Sequence, residues 1–176
     1  MNLPNVITLA RIGLAPVFIW VLFLYPSQSA PERWIVVALF VLASATDGVD
    51  GALARRRNQV TDLGKLLDPI ADKVLIGGAL VALSLLGQVE WWVTIVILFR
   101  EIAITVYRLA VVKNRVIEAS GGGKFKTIMQ SVAVGFCLSP LASYWWPLGL
   151  LQSGILYFAM ILTVISGAEY ILAARK

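Results

Sequence analysis

Six long apolar stretches, each bounded by proline, glycine or charged residues, follow one another along this chain. Their spacing predicts helices near 4–25, 31–57, 62–86, 90–115, 124–144 and 147–173. A bilayer core of about 30 Å takes roughly 20 apolar helical residues per crossing, and every one of these stretches reaches that length. The pattern therefore predicts an all-α, polytopic membrane protein with six transmembrane helices, forming a single integral membrane domain over 1–176. The first stretch, MNLPNVITLARIGLAPVFIWVLFLY, has no basic start and no small-residue cleavage pattern before SQSAPERW, so it reads as a retained helix and not as a signal peptide.

Composition narrows the chemistry. Of the 176 residues, 59% are apolar and 14% charged, and the mean hydropathy of +0.83 lies outside the range of ordinary globular domains. The single cysteine, Cys137, sits inside an apolar run, which excludes an intramolecular disulfide and marks a small lipid- or core-facing residue. Histidine does not occur, which removes imidazole zinc sites, Ser-His-Asp triads and imidazole bases. Any metal must be held by oxygen.

With six crossings, the polar connections fall alternately on two sides. One side receives Arg55, Arg56, Arg57, Lys65, Lys113, Arg115, Lys124 and Lys126 together with Arg175 and Lys176, and the other receives Arg33 alone. The excess of cations places that side, and both termini, in the cytoplasm of a cell membrane. It also accounts for the net charge of +5 with no nucleic acid as partner. Trp91, Trp92, Trp145 and Trp146 fall at the opposite ends of the helices, as an interfacial aromatic belt does. Arg100, Glu101 and Arg108 lie within or beside the fourth apolar stretch, where an ionised group faces the bundle interior or a watery cavity. Arg100 and Arg108 are eight residues apart, close to two helical turns and so on one face. They suit either a phosphate or an internal ion pair through Glu101.

The segment DGVDGALARRRNQVTDLGKLLDPIAD, 47–72, sets Asp47, Asp50, Asp68 and Asp72 beside apolar runs. If 58–61 is the turn between two antiparallel helices, Asp50 and Asp68 lie about nine and eight residues from it, and Asp47 and Asp72 each about twelve, so the two pairs meet at matched depth. Carboxylates packed that closely either raise their pKa values or recruit cations. Hard divalent ions, Mg²⁺ or its substitute Mn²⁺, answer the need, and a pair of them serves in-line displacement at phosphorus. The plainer alternative is four solvated helix ends balancing the arginines and lysines nearby. Gly48, Gly51 and Ala54, interleaved with the acids, let a ligand or helix approach the backbone.

The order Asp47, Asp50, Gly51, Ala54, Arg55, Gly64, Asp68, Asp72 resembles the signature D-x2-D-G-x2-A-R-x8-G-x3-D-x3-D of the CDP-alcohol phosphatidyltransferases, with no departure at a fixed position. The resemblance implies that family's six-helix membrane fold, a homodimer, and a two-ion site open to the cytoplasm. It implies that Asp47, Asp50 and Asp68 hold one ion and Asp47, Asp68 and Asp72 the second. Asp72 would take the proton from the attacking hydroxyl. Gly48, Gly51, Ala54, Arg55 and Gly64 would form the cleft for the nucleotide of CDP-diacylglycerol.

Three further segments, NLPNVITLARI, FREIAITVYR and GGKFKT, resemble the phosphatidylglycerophosphate synthase branch of that family, and related cardiolipin synthases share versions of them. That branch implies glycerol 3-phosphate as acceptor, with phosphatidylglycerol phosphate and CMP as products. An acceptor carrying its own phosphate needs a second cationic pocket, for which Arg100, Arg108, Lys124 and Lys126 are the cations on the right side. Asn5, Thr8 and Arg11, at three-residue spacing on the first helix, either cap the nucleotide site or anchor the helix among head groups. Two other functions compete: a cardiolipin synthase with phosphatidylglycerol as acceptor, and a divalent-cation transporter. The second lacks a carboxylate path to the outer face, where only the loop residues Glu32 and Glu90 occur.

Overall fold

The computed structural model describes the backbone of residues 3–56, 62–111 and 121–174 and the side chains within 9–46, 70–107 and 125–172. All regular structure in these segments is helical: α1 (Leu3–Leu24), α2 (Arg33–Arg56), α3 (Asp62–Leu85), α4 (Trp91–Val111), α5 (Gly121–Leu138), the single turn α6 (Leu141–Tyr144) and α7 (Trp146–Ala174).

Five of the six expected helices match one long element each, and the remaining one divides. The apolar run over 124–144 becomes α5, which starts earlier at Gly121 and ends at Leu138, followed by α6. Pro140 causes the break, because it has no amide hydrogen and disfavours helical backbone at the residue before it. Ser139 turns back instead, its amide donating to the Phe136 carbonyl at 3.1 Å and its hydroxyl to the same oxygen at 2.7 Å. The helix α3 closes on Gly87, whose φ of 70° is left-handed. The Gln88 amide reaches the Leu83 carbonyl at 2.9 Å and the Gly87 amide that of Ser84 at 3.0 Å, the two bonds of a Schellman cap.

Packing falls into two groups. α1 lies against both α2 and α3, and α7 against α4 and α5, while α5 touches α2 and α3 and α4 touches α3, joining the groups. The core between α1, α2 and α3 holds Phe18, Leu22, Val36, Phe40, Leu75 and Leu83, with the Phe18 and Phe40 rings edge to face at 5.8 Å. Glycines on α3 allow the close approach. A Cβ at Gly78 would stand 2.8 Å from Ile19 Cδ1 of α1, and one at Gly77 would stand 2.9 Å from Leu98 Cδ2 of α4.

The outside is as greasy as the inside. Trp20, Ile95, Phe99, Val106, Leu150 and Leu172 are all exposed, Phe99 by 73%, the distribution expected where lipid replaces water. Among the described residues one helix, Trp146–Leu172, is by itself long and apolar enough to cross a bilayer. Within the described residues, Leu9–Leu24, Arg33–Thr46 and Phe125–Leu138 are also apolar.

Arg33, expected as a lone outer loop charge, opens α2 and is fully buried. It donates to the side-chain oxygen of Gln88, whose amide donates at 2.6 Å to the Pro26 carbonyl, so one network ties the connection after α1 to that after α3. Cys137 is buried in the core. Trp91, Trp92, Trp145 and Trp146 are exposed at the starts of α4 and α7, and Trp92 stacks on Tyr157 at 5.8 Å.

Candidate active site

The expected acids lie on two helices that touch: Asp47 and Asp50 on α2, Asp68 and Asp72 on α3. Asp72 is the member of this set whose side chain is described. The side chains of Asp47, Asp50 and Asp68 lie outside the described ones, as do Gly48, Gly51, Ala54 and Arg55 on α2, Gly64 on α3, Asn5 and Thr8 on α1, Arg108 on α4 and Lys124 on α5.

Asp72 is half-buried and forms part of the wall of two cavities. The larger, about 580 Å³, is a groove between α2 and α5. Near Asp72 it is lined by Ser44, Ala45, Thr127 and Ser131, in its middle by Phe40, Val41, Val132 and Gly135, and at its far end by Trp34, Ser139 and Leu141. From Ala45 to Trp34 the helix climbs about 16 Å at 1.5 Å per residue. Away from Asp72 the groove is apolar except for its hydroxyls, and the Ser44 Oγ is buried without a hydrogen-bond partner among the described residues.

The smaller cavity, about 140 Å³, lies between α3, α4 and α5 and is lined by Asp72, Lys73, Gly77, Ile97, Glu101 and Gln130 among others. Glu101 is its hub. One carboxylate oxygen, Oε1, accepts from Lys126 Nζ, from Arg100 Nη1 at 3.1 Å and from Gln130 Nε2 at 3.5 Å. α7 supports the donors from behind, since Arg100 Nη2 donates to Ser166 Oγ at 2.8 Å and Gln130 Nε2 to Thr163 Oγ1 at 2.8 Å. Lys73 Nζ donates to Thr105 Oγ1, which in turn donates to the Glu101 backbone carbonyl at 2.7 Å.

The structure thus brings together three of the expected residues. Arg100 and Lys126 share Glu101, and Asp72 faces the same cavity within electrostatic reach of Lys126. For Arg100, the geometry contains the internal ion pair that the sequence offered as an alternative, with Lys126 added to it. Arg11 is fully buried on α1 and lines neither cavity. Sequence reasoning missed Gln130, Thr163, Ser166 and Gly167. The signal was there in the spacing, because Gln130 follows Lys126 by one helical turn and the three others are polar or small positions in an otherwise apolar α7.

The residues present fit a hard divalent cation in their chemistry. Four carboxylates on two touching helices offer oxygen alone, and Asp72 stands where the groove and the charged cavity meet. Among the described residues no group of three metal-ligating side chains occurs, the other three acids lying outside them.

A family model of CDP-alcohol phosphatidyltransferase matches residues 1–165. The chain is 45% identical over 175 residues to a "Probable phosphatidylglycerophosphate synthase" of Mycobacterium tuberculosis, covering 99% of this chain and 82% of that protein. It is 41% identical over 183 residues to a "CDP-diacylglycerol--glycerol-3-phosphate 3-phosphatidyltransferase" of Bacillus subtilis, covering 96% of this chain and 93% of that protein. A Haemophilus influenzae protein of the same name is 37% identical over 180 residues, covering 99% of this chain and 94% of its own length. With the acid-bearing helices, the cavities at Asp72 and a match over nearly the whole length, the chain belongs to the CDP-alcohol phosphatidyltransferase family.

Proposed function

We propose that this chain is a membrane enzyme of phospholipid synthesis that transfers the phosphatidyl group of CDP-diacylglycerol to glycerol 3-phosphate, giving phosphatidylglycerol phosphate and CMP. The names of relatives at 37% to 45% identity support the reaction. One structural observation carries it: Asp72 lines both an apolar groove and a charged cavity whose wall holds Lys73 and Glu101, the carboxylate that Arg100 and Lys126 share. A donor with long acyl chains and an acceptor with a phosphate need those two environments, and they must meet at the reacting phosphorus.

Members of the family use divalent cations. In this chain Asp47, Asp50, Asp68 and Asp72 would hold two of them, Mg²⁺ or Mn²⁺. Bound there, the ions would neutralise the diphosphate of the donor and the CMP that leaves. Asp72 takes the proton from the glycerol hydroxyl as its oxygen attacks in line. The new bond forms to the phosphatidyl phosphorus and the bond from that phosphorus to CMP breaks, with no covalent enzyme intermediate. Gly48, Gly51, Ala54, Arg55 and Gly64 admit the nucleotide, with Asn5, Thr8 and Arg11 at its edge. Arg100, Arg108, Lys124 and Lys126 receive the acceptor's phosphate. The acyl chains lie along the groove between α2 and α5, whose length of about 16 Å suits a dozen methylenes. The long helices cross the membrane six times as one domain over 1–176, the site opens to the cytoplasm, and two copies associate as a homodimer.

The test is CMP release by purified protein from CDP-diacylglycerol with each acceptor offered separately. Release with glycerol 3-phosphate and little with phosphatidylglycerol, serine or inositol phosphate is the expected result. Release with phosphatidylglycerol but not glycerol 3-phosphate would make the chain a cardiolipin synthase. Uptake of divalent metal into sealed vesicles without liponucleotide would revive a transporter.

A further inference from the structure

Two cations that pair with Glu101, a residue in the wall of the smaller cavity, are nearly removed from solvent, the Arg100 side chain 15% and the Lys126 side chain 9% exposed. Buried charges of one sign need an anion, and here Glu101 supplies it. The three donors that converge on its Oε1, a guanidinium, an ammonium and an amide, form a set that a phosphate oxygen would equally satisfy.

Glu101 is not needed to hold two of those donors in place. Arg100 is fixed by Ser166 and lies against α7 at Gly167, and Gln130 is fixed by Thr163. A strut would be the part on which its neighbours depend. Glu101 instead fills a place that α7 has already built.

Resting on the acceptor site assigned above, we propose that Glu101 is a stand-in for the acceptor's phosphate. In the free enzyme its carboxylate occupies the anion position between Arg100 and Lys126, and the phosphomonoester of glycerol 3-phosphate displaces it. A phosphomonoester carries a charge of about −1.5 to −2 with three acceptor oxygens, and so competes well against one carboxylate. A phosphodiester such as phosphatidylglycerol carries a single negative charge, and glycerol none, so neither does. Glu101 thereby sets how tightly this position takes an anionic acceptor.

The experiment measures CMP release with glycerol 3-phosphate and its competitive inhibition by inorganic phosphate in wild type, Glu101→Gln, Glu101→Asp and Arg100→Ala. Glu101→Gln should lower the inhibition constant of phosphate and the KM for glycerol 3-phosphate by about tenfold, the scale of one charge-assisted hydrogen bond no longer displaced. Glu101→Asp keeps the charge on a shorter arm and should shift both constants the same way by less, which preserves the test if the glutamine variant does not fold. Higher or unchanged constants in the Glu101 variants, with a raised KM in Arg100→Ala, would make Glu101 a strut and overturn the inference alone. An unchanged KM in Arg100→Ala would remove the acceptor site from this cavity and the inference with it.

Discussion

Arg100 crosses α7 at Gly167 so closely that a Cβ added to the glycine would stand 2.8 Å from its Nε and 3.2 Å from its Cγ. The contact is with the middle of the arginine, not its flexible end, so the side chain cannot step aside without giving up Glu101 or Ser166. Gly167→Ala should therefore raise the KM for glycerol 3-phosphate by about tenfold, near 1.4 kcal/mol, and leave the KM for CDP-diacylglycerol within about twofold. Steady-state kinetics with each substrate varied in turn checks it, and an equal effect on both would detach Arg100 from the acceptor.

The groove between α2 and α5 gives a second expectation. A Cβ at Gly135 would meet Phe40 at 3.9 Å, ordinary contact, so Gly135→Ala should be tolerated. Gly135→Trp would fill the middle of a cavity of about 580 Å³. It should raise the KM for long-chain CDP-diacylglycerol by about tenfold while sparing a short-chain donor. Equal losses with donors of both lengths would show that the acyl chains run elsewhere.

The helix crossings on α3 are tested by stability. Gly78→Val would drive a side chain into Ile19 and Gly77→Val into Leu98. Overpacking of that kind costs about 1–3 kcal/mol. Gly13→Val serves as a control, since no atom lies within 4 Å of a Cβ built there. Thermal unfolding in detergent should separate the two α3 variants from the control, and indistinguishable melting would contradict the packing of α1 and α4 on α3.

Much of this was legible in the sequence because it is local. Helix positions follow from runs of apolar residues, and the pairing of Arg100 with Glu101 joins neighbours in sequence. The break at Pro140 was local too, but apolar residues on both sides of it, from Phe136 to Ala142, hid it from a hydropathy reading. Long-range partners were not legible. Arg33 looked like a loop charge because its acceptor, Gln88, is 55 positions away. Lys126 joins Glu101 from 25 positions away, and Ser166 joins Arg100 from 66. The acids were found by spacing, whereas the place of Asp72 between two cavities depends on how α2, α4 and α5 assemble around α3.

Removal of divalent cations offers a further check. The proposed cluster of four carboxylates would repel itself without a counter-ion, and an ion that binds only the folded protein stabilises it by mass action. EDTA should lower the melting temperature of the wild type and abolish CMP release, with both restored by Mg²⁺ or Mn²⁺. The double variant Asp47→Asn, Asp68→Asn should melt at the same temperature with and without EDTA. A chelator-dependent shift that survives in the double variant would place the ions elsewhere.

Asp72 lines both the apolar groove and the charged cavity, and the most direct test of its proposed role is Asp72→Asn assayed for CMP release with CDP-diacylglycerol and glycerol 3-phosphate. Loss of a general base at this position should reduce kcat by about 10²–10⁴-fold while CDP-diacylglycerol still binds with near-native affinity. A variant that turns over within a few-fold of wild type would contradict the account at its centre.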